Sequence, residues 1–94
     1  MRRLWIVLCE VSYVLESRKT LAFTNVVTWG ERPEDALERV RICFAEYKWE
    51  LIGCDRISPV EEDEDYGDLN DLIDRAADNP AAVIYGTFHT YKPN

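Results

Sequence analysis

Between Leu4 and Leu15 the odd positions Trp5, Val7, Cys9, Val11 and Tyr13 are all apolar or aromatic. The even positions begin apolar at Leu4, Ile6 and Leu8, then turn polar at Glu10 and Ser12. Successive side chains of a strand point to opposite faces. The pattern therefore predicts a strand covered on both faces at its start and on one face later. Glu16 to Lys19 is a polar turn, and Leu21 to Trp29 reads as a second strand that closes a hairpin on the first.

After Gly30 the period changes. Pro33 suits a first helical turn, where its missing N–H costs nothing. Glu34 and Asp35 follow near the positive end of the helix dipole. Leu37, Val40, Phe44 and Tyr47 recur at three- and four-residue steps, widened by Ala36 and Cys43. They predict a helix near 33–47 with one apolar face. Lys48 to Ser58 reads as a third strand, with Gly53 marking a bulge or a close backbone approach and Pro59 ending it. Leu69, Leu72, Ile73 and Ala76 form the stripe of a second helix near 68–78, with Asp68 as its N-cap and Asn79-Pro80 as its stop. Ala81 to Tyr91 reads as a last strand.

The order is β-β-α-β-α-β, an α+β chain. It predicts a two-layer sandwich, a sheet of about four strands with both helices on one face. A ferredoxin-like plan would run β-α-β-β-α-β, so this order is at most a relative of it. Residues 1–94 read as one domain with an acidic loop, 60–67, inside it. The run of a helix into a Trp-bearing strand, EDALERVRICFAEYKWELIG, recurs in many small bacterial α+β proteins and identifies none.

Charge changes the picture more than composition does. The 94 residues are 47% hydrophobic, ordinary for a globular domain, and carry net charge −7. That charge is not spread out. From Glu61 to Asp78 there are nine acids against one base, Arg75, so this segment carries −8 and the rest of the chain +1. Blocks of like charge are solvated loops or interaction surfaces.

Cys9, Cys43 and Cys54 are odd in number and lack CxxC spacing, which points to reduced thiols in a cytoplasmic protein rather than a disulfide or zinc framework. The opening MRRLWIVLCE imitates a signal peptide, but its apolar run stops at Glu10, and no stretch approaches the length of a membrane span.

Several chemistries find no support. The glycines, Gly30, Gly53, Gly67 and Gly86, are isolated, so no phosphate-cradling loop is present. Scattered bases and a repelling acidic segment argue against direct nucleic-acid binding. An EF-hand template begun at Asp63 puts Gly67 one place early, so neither a metal site nor a cofactor is expected. The acidic segment is left as a partner surface, with Glu61, Glu62, Asp63, Glu64, Asp65, Asp68, Asp71 and Asp74 as its binding residues. A basic protein would turn their mutual repulsion into steering.

The reading is a non-enzymatic module binding a basic protein, in the manner of an immunity or antitoxin protein or a nucleic-acid-mimicking inhibitor. Its rival is a small enzyme or ligand-binding domain with a pocket between sheet and helices near Cys54, Tyr85 and His89. A surplus of aromatics, including Phe23, Trp49 and Phe88, further predicts a homodimer through an aromatic sheet face.

Overall fold

The computed structural model describes residues 2–90. Strands β1 (Arg3–Leu15) and β2 (Arg18–Gly30) pair antiparallel along their whole length, from Arg3 opposite Gly30 to Leu15 opposite Arg18. Between them Glu16 (φ 52°) and Ser17 (φ 67°) both adopt the left-handed region, as a two-residue type I′ hairpin turn requires. Helix α1 (Pro33–Glu46) and strand β3 (Glu50–Pro59) follow. A single 3-10 turn (Gly67–Leu69) then leads into helix α2 (Asn70–Ala77), and the short strands β4 (Val83–Tyr85) and β5 (His89–Thr90) finish the fold.

The sheet is antiparallel throughout, in the order β3-β1-β2-β4, with β5 also on β2. The α+β class and the β-β-α-β-α-β order expected from the pattern hold, with the last strand divided in two. The division falls at Gly86, whose N–H donates to Asn25 O at 2.9 Å. A Cβ there would come within 3.1 Å of Leu72 Cδ1, so glycine lets α2 close on the sheet. Tyr91, expected to end this strand, lies outside the described residues.

The placement of the helices corrects the expectation that they share one face. Trp5, Val7, Cys9 and Val11 of β1, with Ala22 and Val26 of β2, pack against Ala36, Val40 and Phe44 of α1. Leu4, Ile6 and Val27 instead pack against Leu72 and Ala76 of α2. Neighbouring residues of a strand point to opposite faces, so each parity of β1 carries its own helix. The cause is the apolar start of β1, where Leu4 and Ile6 need cover as much as Trp5 and Val7 do.

α2 is short and covers only that end of its face, leaving Leu21 (42% exposed) and Phe23 (37%) on the remainder. The aromatic surplus expected on an open face gathers mostly under the end of α1, where Trp49 contacts Phe44, Tyr47, Tyr85 and Phe88.

α1 ends in a Schellman motif. Trp49 N–H donates to Phe44 O (2.9 Å) and Lys48 N–H to Ala45 O (3.0 Å), while Lys48 takes φ 62° and the Phe44 and Trp49 rings pack 5.5 Å apart. This motif moves the start of β3 from Lys48 to Glu50. Along β3 the register against β1 shifts twice, leaving Asp55 and Ile52 unpaired as bulges on either side of Gly53 and Cys54.

Left-handed residues that carry a Cβ cost about 1–2 kcal/mol each. Lys48→Gly, and separately Glu16→Asn with Ser17→Gly, should each stabilise the protein by a net of about 0.5–1 kcal/mol after the chain-entropy cost of glycine. A urea midpoint that rises at constant slope is the expected result, and an unchanged or lower midpoint would show that these turns store no strain.

Candidate interaction surface

The acidic segment leaves β3 with its backbone still paired, Val60 N–H donating to Leu4 O at 2.9 Å. Glu61 N–H then donates to Tyr66 Oη (2.8 Å), which ties the two ends of the loop together. Asp65 Oδ1 accepts from Gly67 N–H (2.9 Å) and from Asn70 Nδ2 (2.7 Å), and Tyr66 N–H donates to Asn70 Oδ1 (3.1 Å). The turn needs Gly67 at φ 61°, where no Cβ is tolerated cheaply. The acidic loop expected as a partner surface is thus closed across its two ends by Tyr66, and Asp65 anchors its far end to the start of α2.

The expected N-cap, Asp68, does not cap α2. It sits in the 3-10 turn, and the cap position is Leu69 without a side-chain bond. The acceptor that orders this entry is Asp65, three residues earlier. Its two hydrogen bonds, first from the Gly67 N–H and then from Asn70, hold its carboxyl below the usual range.

The eight expected partner residues therefore divide by what they touch. Asp65 belongs to the loop's frame. Glu61 pairs with Arg3 at 3.5 Å and Asp71 with Arg75 at 3.7 Å, all four exposed, where such pairs are worth little. Glu62, Asp63, Glu64, Asp68 and Asp74 are exposed, and among the described residues no ion pair reaches them.

The loop, α2 and the start of β1 border an open groove of about 930 Å³. Leu4, Trp29, Val60 and Ile73 line it, together with the acids Glu61 to Glu64 and Asp74 and the bases Arg2 and Arg3. The Arg2 guanidinium lies over the Trp29 ring (5.9 Å) and that of Arg3 over Trp5 (5.5 Å). Sequence reasoning missed this groove because its walls come from three distant segments. The only local signal was a pair of arginines beside an apolar run.

The rival pocket is not assembled. Cys54 lies on β3, at the opposite edge of the sheet from Tyr85 and His89. Tyr85 pairs with Val26 on the α1 face, whereas His89 pairs with Phe23 on the other face and stacks on its ring at 5.2 Å. A hollow of about 360 Å³ at the bulges of β3 includes Cys54, Leu8, Phe23 and Ile52 but neither Tyr85 nor His89.

Burial, and then the neighbouring Cys54, pushes the Cys9 thiol up to about 12, and desolvation raises Cys54 as well. A nucleophilic cysteine needs the reverse shift. Among the described residues no cluster of three or more His, Cys, Asp or Glu could hold a metal ion, and no helix is long and apolar enough to cross a membrane. The chain matches no family model, no curated protein and no solved structure.

The two kinds of carboxylate are separable by substitution. Asp65→Ala should lower the melting temperature at pH 7, whereas Glu62→Gln/Asp63→Asn/Glu64→Gln should leave it unchanged or slightly higher, because self-repulsion falls. Since folding lowers the Asp65 carboxyl, its contribution is present above the ordinary aspartate value of about 3.9 and is lost as pH falls through its lowered value. The gap between wild type and Asp65→Ala should therefore close in strong acid. Equal melting of the two at pH 7 would remove Asp65 from the frame.

Proposed function

We propose that the protein is a non-enzymatic binding module whose acidic edge, residues 61–78, docks on a basic protein. The observation that carries this reading is a −8 segment mounted on a hydrogen-bonded frame. The backbone that carries its exposed carboxylates is closed into a turn by these bonds. On α2, Asp71 and Asp74 are three residues apart, with Asp78 just past the helix end. Like charges at such spacing destabilise an isolated helix by a few tenths of a kcal/mol, about 0.2–0.5 per pair. A partner with complementary charge relieves that repulsion and gains fast, steered association.

By size and charge, an immunity or antitoxin protein filling a basic cleft, or an inhibitor imitating nucleic acid, would act this way. We place it in the bacterial cytoplasm on the same reading, in keeping with three thiols that form no disulfide. The partly open sheet face bearing Leu21 and Phe23 would serve a homodimer.

Two measurements test this. Affinity capture from the source cells should retain a basic protein whose association slows as salt rises from about 50 to 300 mM, with little change in dissociation. Capture should collapse when Glu62, Glu64, Asp68, Asp71 and Asp74 are replaced by their amides, while melting is preserved. Binding that ignores both salt and these substitutions would sink the reading. For the dimer, sedimentation should show association that Phe23→Ser weakens, and a monomer at high concentration would remove it.

A further inference from the structure

The groove beside the acidic loop is where an apolar surface and unspent charge share one hollow. Its floor is Leu4, Val60 and Ile73, with the Trp29 indole beside them. The indole N–H is already committed to Ala76 O at 2.8 Å, which leaves only the ring face for other contacts. That face shows how the groove treats a cation. Arg2 lies across it at 5.9 Å while donating to Pro80 O at 2.6 Å, a cation over an aromatic ring with a carbonyl at its end.

The groove's own cations do not balance its acids. Five carboxylates line it against two guanidiniums, and Glu62, Asp63, Glu64 and Asp74 have no ion-pair partner among the described residues. A volume of about 930 Å³ is ample for several side chains.

We infer that this groove takes a short segment of the basic partner, one apolar side chain entering against Leu4, Val60 and Ile73 while flanking Lys or Arg residues meet Glu62, Asp63, Glu64 and Asp74. The inference rests on the reading of the acidic edge as a partner surface and adds the anchor to it. A charged rim speeds encounter but leaves many orientations nearly equal in energy. An apolar side chain in a desolvated hollow, ringed by polar contacts, selects one of them. The floor supplies that hollow within a few side chains of the acids.

Two labelled synthetic peptides test it by fluorescence anisotropy, Lys-Arg-Lys-Phe-Lys-Arg-Lys and the same peptide with Gly in place of Phe. The Phe peptide should bind about tenfold more tightly, the worth of burying much of one aromatic side chain. Ala77 is exposed on α2 and lines the groove, so Ala77→Trp fills it from the surface without displacing Leu72 or Ala76 from the core. This variant should reduce the Phe peptide to the level of the Gly peptide. Ala77→Lys, which places an ammonium among the acids, should weaken both peptides and serves should the Trp variant misfold.

Asp68→Asn/Asp71→Asn, on the same edge but outside the groove, should weaken both peptides equally. Equal binding of the two peptides, or indifference to Ala77→Trp while the Asp68/Asp71 variant still weakens both, overturns the groove and leaves the acidic edge standing. Failure of both peptides to bind at low salt overturns the edge itself. Self-association abolished by Ala77→Trp would assign the groove to a second copy of the chain and overturn the inference too.

Discussion

Burial of β1 on both sides is the constraint from which the other elements take their places. Val7, Cys9 and Val11 are wholly inaccessible beneath α1, and Leu4 and Ile6 are nearly so beneath α2. Full burial of such side chains is worth roughly 1.5–3 kcal/mol each. A slip of one residue in the β1–β2 register would send every one of them to the wrong helix. The register of β1 against β3 brings Leu4 to the end of β3, where its carbonyl receives the Val60 N–H and fixes where the acidic chain departs. The position of the charged surface is thus a consequence of packing, although no core residue belongs to it.

The surface itself balances two opposed requirements. Its carboxylates repel one another and would extend a free loop, while Tyr66, Asn70 and the Gly67 N–H hold the chain in a compact turn. One of the nine acids, Asp65, is used up in that restraint, which leaves most of the others facing water. Two arginines stacked on tryptophans at the neighbouring strand end offset part of the field without covering it.

Much of the fold was legible because its signals are local. The alternation in β1, the apolar steps of α1 and the stripe Leu69, Leu72, Ile73, Ala76 each occupy a few consecutive turns or pleats. The double apolar parity at Leu4 to Leu8 even announced cover on both faces, yet assigning one helix to each side needed the register with β2. Gly53 pointed correctly to irregularity in β3, and the bulged residues proved to be its neighbours.

The site was less legible. Asp68 has the right spacing for a cap, but the 3-10 turn moves the hydrogen bonds to Asp65, a competition between near-equal local acceptors that composition does not resolve. Cys54, Tyr85 and His89 looked compatible with one pocket only because strand order and face were unknown. The groove was invisible because Arg2, Trp29 and Ile73 are distant in the chain.

The irregularity of β3 has a further consequence for how the molecule lives among its own copies. β3 is an outer strand, and a regular one would offer a row of free N–H and C=O groups on which another chain could extend the sheet. The bulges at Asp55 and Ile52 break the spacing of that row, and Pro59 removes one of its donors. An incoming strand would find only short stretches in phase, too few to offset the order it must give up. The kinks that deform the sheet therefore act as a stopper at this edge, denying an incoming strand the regular ladder along which a fibre would grow.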